Sequence, residues 1–462
     1  MHAVRRATAG LAGVLVALAA AVIIFGGETS GLGAIPAAEN SCPVETSPTV
    51  SSPEIPTDVC IPDGFTAVPM DFFDDYSWRL FVAEIWPAAD GRRGIGNARK
   101  RLGDDGPRVF ETYRSLWEIF HRDGSAPSSA FDSYEASDHS PCGVTAGFSQ
   151  LVLGSSTGIP DLRQAGNGSF EGPLAAQNGK YVRYLTLFNR VAFDHLVRNR
   201  LYLRSSLPSV PKPRPVMPVV DFPDGSIAIK TAWVDVAGLP AALQRRIYQR
   251  RATVRDPDGS GCSTQTVGLV GLHIAQKTPS RPQWIWSSFE QEDNVPPARP
   301  NAPGVFTFND GSGAAMPTSN PLSLARLARQ PVRPFNVERL ETVPIHPLTV
   351  LMNFRYQELL KGTVWQYYRL VVTQWPRLEG NQAVPVPASQ DGSVPNTFPG
   401  LGAFSAFTNV TLETFDQSRV QLGCMSCHNE ARMQADFMWT VVNHAYPAQI
   451  SLSSSDLGTR KD

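Results

Sequence analysis

Proline sets the tightest limit on what this chain can become. It occurs 39 times in 462 residues, beside 37 glycines. Each proline removes a backbone donor and fixes φ, so long helices have little room and much of the chain must be turn and loop. Regular structure is confined to the apolar stretches between these breaks.

Those stretches carry two different periods. Trp78, Phe81, Val82 and Ile85 fall at i, i+3, i+4 and i+7, one face of a helix. Asp74 or Asp75 can cap it and Pro87 stops it. Val109, Tyr113, Leu116, Trp117 and Phe120 form the stripe of a second expected helix, from Arg108 to His121. Lys180 to Phe188 reads as a strand, followed by a helix that Asn189 caps and that runs through Arg198. Ile227 to Val236 is β-like and follows an Asp224-Gly225 turn signal. Gln265 to Ile274 is nearly continuous apolar sequence, the pattern of a central strand buried on both faces. Gln283 to Phe289 places Trp284 and Trp286 on one side of a strand. Proline-rich loop is expected from Asn294 to Pro347, a helix over Leu348–Leu360, and a strand over Val364–Trp375. A short helix near Thr411–Phe415 and another over Ala431–Asn443 complete the pass. The expected fold is α+β: a mixed, mainly antiparallel β core with flanking helices and long Pro/Gly-rich loops.

The N-terminus bears on the compartment. Arg5 and Arg6 precede an apolar run from Ala9 to Phe25, and small residues lead to Ala37 and Ala38, where a signal peptidase can cut. Residues 1–38 therefore read as a signal peptide, with an uncleaved inner-membrane anchor as the alternative. The expected location is periplasmic or secreted. The body spans 39–423, and 424–462 is a C-terminal attachment segment packed on it. The net charge of −1 gives no basic excess for nucleic acid.

Export makes disulfides legitimate for Cys42, Cys60, Cys142 and Cys262. Three pairings are open. The favoured one joins Cys42 to Cys60 in the Pro-rich lead-in, and Cys142 to Cys262 across a loop worth roughly 3–5 kcal/mol on closure.

Cys424-Met425-Ser426-Cys427-His428 is the chemical centre. A two-residue spacer sets both sulfurs for thioether bonds to the vinyl groups of a haem, and the adjacent imidazole falls on the iron. By composition alone the pattern arises with a chance of roughly one in a thousand. A zinc site would need a second ligand pair that the sequence lacks. A thioredoxin-type dithiol would need a βαβ context, also missing. A plain short-range disulfide is the remaining competitor. The expectation is one covalent haem c on Cys424 and Cys427, with His428 as proximal ligand. For the sixth position the first choice is His273; Met433, Met438, His444, His346, His195 and an open site are the others.

The stretches Phe72–Pro87, Val267–Pro296, Gly362–Pro376 and Asn409–Glu430, which ends in the cysteine motif, resemble a family of exported bacterial cytochrome c family proteins whose cellular role is poorly defined. The resemblance implies haem binding and electron transfer on Cys424, Cys427 and His428. It also raises His273, Trp284, Trp286, Glu290 and Asp293 as candidates for lining the haem or a partner site. The expected function is single-electron transfer with an unidentified periplasmic redox partner, after loading by the cytochrome c maturation machinery. The alternative is a peroxidase-like haem oxidoreductase with an open sixth position, motivated by the large body before the motif. Of the remaining signals, Gln244–Arg251 with its four arginines fits a solvated helix face. Glu290, Glu292 and Asp293 fit a solvated acidic loop. Gly154–Gly158 spells a hydrolase elbow, but Pro160 follows too closely for a helix start.

Overall fold

The computed structural model describes residues 49–62, 70–145, 147–154, 173–209, 219–297, 304–312, 336–340, 345–375, 408–417 and 431–448, with isolated residues between them that include Cys424 and His428. The leader, Cys42, Cys427 and most of the Gly154–Gly158 stretch lie outside the described residues. All described residues belong to one compact unit that begins at Val44. None of their helices is long and apolar enough to cross a membrane.

In chain order the elements are α1 (Met70–Glu84), β1 (Arg114–Ser115), β2 (Leu151–Leu153), β3 (Arg183–Phe188), α2 (Arg190–Arg198), β4 (Ile227–Asp235), α3 (Ala241–Gln244), β5 (Gln249–Arg255), β6 (Cys262–Thr278), β7 (Arg281–Gln291), α4 (Pro347–Leu359), β8 (Tyr368–Gln374), α5 (Arg432–Ala435) and α6 (Trp439–His444). These eight strands form one sheet in which every pairing is antiparallel except β2 with β5, and Leu378–Glu379 pairs antiparallel with Gln382–Ala383 in a separate two-stranded sheet. With its few flanking helices the fold is α+β.

The 17-residue β6 organises this sheet. One edge pairs with β4 from Val267 to Gln276, while the other pairs first with β5 and then with β7. The apolar run predicted as a central strand is its middle. Against β4 the register slips so that Ala232 opposes Gly271 and Trp233 opposes Leu269, which leaves Val270 without an opposite residue. That bulge lets Leu269 and Leu272, three apart, enter the same core, while Val270 joins the cluster on the other face.

Helices α1 and α4 cover the first face. Trp78 stacks on Tyr356 at 5.0 Å and Phe81 on Phe289 at 4.3 Å. Helix α1 starts at Met70, before the expected caps, so Asp74 lies within it. Asp74 is buried, and the hydroxyls of Thr349 and Thr373 each donate to it at 2.7 Å. Tyr76, Ser77 and Trp78 likewise bond Gln276, Ser287, Thr373 and Asn353. These partners allow a helix with a polar stripe to be buried almost all round.

The helix expected over Arg108–His121 does not form. Its apolar residues are buried, but as two 3₁₀ turns (Phe110–Thr112 and Leu116–Glu118) around the short strand β1. Arg114 and Ser115 pair with Phe188 and Leu187. The Arg114 guanidinium, fully buried, reaches Glu118 and Glu135, both at 3.2 Å. The Ser115–Glu118 capping box starts a new turn there. Tertiary demand on Arg114 overrides the 3.6-residue period.

Asn189 caps α2 as predicted. Its side-chain oxygen accepts from Ala192 N and Ile227 N, both at 3.0 Å, and its amide donates to Gly225 O at 2.8 Å. One side chain thus joins a helix start, a strand start and the Gly225 turn. Asn189→Ala should cost about 2 kcal/mol, the upper end for a lost cap, because two backbone groups outside the helix lose a partner as well. Urea unfolding measures this, and a loss below about 0.5 kcal/mol would show that the cap is incidental.

Val364–Tyr367 is a 3₁₀ turn and the strand begins only at Tyr368. The arginine segment is not a helix face: α3 ends at Gln244 and β5 begins at Gln249. Arg246 instead clasps Glu292 and Asp293, and Arg250 reaches Glu111.

Candidate functional site

The helix expected over Ala431–Asn443 is two short ones, α5 and α6, broken at Asp436 (φ 47°) and Phe437 (φ 72°). Two consecutive non-glycine residues in the left-handed region are strained and need outside support. Asp436 supplies it. Its buried carboxylate accepts from Lys277 Nζ at 2.7 Å and from Phe222 N at 2.9 Å. Burial pushes that carboxyl up to about 6, against the pull of Lys277.

The break aims the Phe437 carbonyl at His428, whose Nδ1 lies 2.6 Å from it. A carbonyl only accepts, so Nδ1 carries the proton and Nε2 keeps the lone pair. Burial, opposed by this bond and reinforced by the nearby charges of Lys230 and His273, brings the imidazole down to about 4. At neutral pH it is an uncharged base. The His428 ring packs on Trp286 at 4.3 Å, and Trp284 follows at 6.5 Å, both tryptophans being buried. Trp284 is another non-glycine residue at positive φ, 69°.

Register places His273 on the same sheet face as Trp286. His273 opposes Ser288 and Ala275 opposes Trp286, with no slip between the pairs. His273 Nε2 lies 2.8 Å from Glu413 Oε1, and its Nδ1 is buried with no hydrogen bond among the described residues. Burial raises the Glu413 carboxyl, but His273 and Lys230 outweigh it and hold the group below the usual carboxylate range. The segment carrying Glu413 approaches β6 closely because residue 271 is glycine: a Cβ there would lie 2.1 Å from Thr411 Oγ1. Glu413 was not anticipated, and its one sequence signal is its place in the Asn409–Glu430 stretch.

Cys424 is half-buried and packs against the main core; Cys427 lies outside the described residues. Cys142 and Cys262 form the expected disulfide, S–S 2.04 Å. Cys60 is disulfide-bonded as well, and its expected partner Cys42 is outside the described residues.

The other expected ligands lie in varied settings. Met433 and Met438 are buried, Met438 in the main core. His444 is buried near Phe120. His346 caps α4, and His195 sits on α2 against Phe222. Glu290 is not solvated: it is fully buried between Arg339 at 2.6 Å and Arg369 at 2.8 Å. Those guanidiniums outweigh burial and hold its carboxyl below the usual range. Glu290 and Asp293 are thus ion-pair partners for arginines.

No protein-family model, no curated protein and no solved structure matches the chain.

Proposed function

We propose that this chain is an exported c-type cytochrome of the family it resembles, holding one haem through Cys424 and Cys427 with His428 as proximal ligand and passing single electrons. The observation that supports this best is the 2.6 Å contact between His428 Nδ1 and the Phe437 carbonyl. A metal-ligating histidine commonly donates its second ring N–H to such a group, which fixes the tautomer and turns the other nitrogen to the metal. The neutral imidazole, the half-buried thiol of Cys424 and the adjacent indoles suit a covalently held porphyrin. When bound, haem supplies a reversible one-electron iron couple whose potential the surrounding protein sets.

The chain's own residues have distinct tasks in this proposal. The Phe437 carbonyl orients the ring and raises its basicity. Trp286 and Trp284 exclude water on one side. His273, with Glu413 and Lys230, stands on the same sheet face as the candidate sixth ligand. An unidentified periplasmic protein would exchange electrons with this centre.

The test is the visible spectrum of protein co-produced with a cytochrome c maturation system and purified from the periplasm. The expected pigment stays with the polypeptide after acid–organic extraction. Colourless or extractable material sinks the proposal. Ferrous protein that ignores carbon monoxide fits an electron carrier; one that binds it and reacts with peroxide fits the oxidoreductase alternative. His273→Ala should alter the ferrous spectrum, and an unchanged one removes His273 as a ligand.

A further inference from the structure

Far from the cysteine motif in sequence, His121, Asp123 and His139 form a second constellation. One ligand atom from each lies within 4.8 Å of the others. The two imidazoles stack face to face, centroids 3.7 Å apart and planes within 4°; each nitrogen lone pair lies in its own ring plane, so His139, the less buried of the two, turns out of the stack to share an ion with His121. His121 is almost fully buried, and its Nε2 lies 3.7 Å from Glu135 Oε2, too far for a hydrogen bond. Its Nδ1 edge meets Ser125 Oγ at 2.9 Å, and that hydroxyl donates to Asp123 Oδ1 at 2.7 Å. With its own proton given to Asp123, the hydroxyl accepts from Nδ1–H, so a metal at Nδ1 requires that proton to move to Nε2, where Glu135 is the neighbouring carboxylate.

The surroundings are rigid on one side and open on the other. The Cys142–Cys262 disulfide ties the chain just after His139 to the start of β6, and Arg255 of β5 donates to Pro141 O at 2.9 Å. Beside the cluster is a cavity of about 280 Å³ lined by Arg122, Asp123, Asp138, His139, Pro141 and Arg255 among others. It gives an ion a route in and leaves room for a water ligand.

We propose that His121, His139 and Asp123 bind one divalent transition cation of the zinc type, with Glu135 as the positioning carboxylate for His121. Two imidazoles and one carboxylate suit zinc and its neighbours and disfavour calcium and magnesium, which take oxygen ligands. Three protein ligands and one open position are also the composition of zinc centres that keep a water.

The test is cobalt(II) and zinc titration of the full chain after chelator treatment. The expected result is one cobalt per chain with visible d–d bands and no thiolate-to-cobalt charge-transfer band, displaced by zinc and not by calcium. His139→Ala, and separately Asp123→Asn at an exposed position, should each weaken binding at least about tenfold, the lower end of what even an orienting partner contributes. Their unliganded melting temperatures should stay that of the parent. The proposal is overturned by no binding, by non-integral binding, by a thiolate band that marks Cys424 and Cys427 as the site, or by affinity that ignores both variants.

Discussion

Serine at both Cys424 and Cys427 is expected to take the covalent haem content from about one per chain to none, with the fold intact. A hydroxyl cannot form the thioether, so no partial attachment survives. The disulfide of the body between Cys142 and Cys262 depends on neither residue. Cys424 is only half-buried, so its loss removes little core. The alkaline pyridine haemochrome of purified protein measures haem content, and far-ultraviolet circular dichroism measures the fold. His428→Ala isolates the other component: its haem should stay attached while axial coordination changes, and the Phe437 carbonyl loses its donor. Pigment retained by the double serine variant would refute covalent attachment at this motif.

What could be read from the sequence follows from where the information resides. The central strand, the tryptophan strand and the Asn189 cap are local patterns: an apolar run, a period of two, a capping side chain. All three appear where expected. The failures share one cause, long-range demand on a single side chain. Arg114 must reach Glu135 and pair with Phe188, so a helical stripe becomes two turns around a strand. Asp436 is claimed by Lys277 on β6, so a continuous helix breaks at a left-handed pair. No local period encodes either partner.

The candidate site divides the same way. The cysteine motif is a spelling and was legible. The Phe437 carbonyl is backbone and has no sequence signature, although it is the group that orients His428. Glu413 is 140 residues from His273 and meets it only through a sheet register and a glycine at 271. The His121–Asp123–His139 cluster was equally silent, since stacking brings together residues that match no metal-binding spacing.

The contribution of two buried carboxyls on α1 to the stability of the chain is expected to fall as pH rises from about 5 to 8. Glu84 is fully buried; Tyr113 donates to Oε1 at 2.8 Å, and Oε2 has no hydrogen bond among the described residues. Burial pushes Glu84 up to about 8, only partly offset by Tyr113. Asp74 rises to about 7 for the same reason, against the hydroxyls of Thr349 and Thr373. For a carboxyl raised in the folded state, the native protein binds more protons than the unfolded chain between the two pKa values. Its contribution is complete below the unfolded value, 4.5 for Glu84, and is lost as pH climbs through about 8. For Glu84 the whole change is on the order of 4–5 kcal/mol, at about 1.4 kcal/mol for each pH unit crossed. Glu84→Gln keeps the shape, cannot ionise, and should remove that slope, so the variant gains on the parent steadily between pH 5 and 8. Urea unfolding at several pH values gives the difference directly, and other titrating groups cancel in it. Parallel stability profiles for parent and variant would mean that Glu84 ionises as freely in the fold as in the unfolded chain.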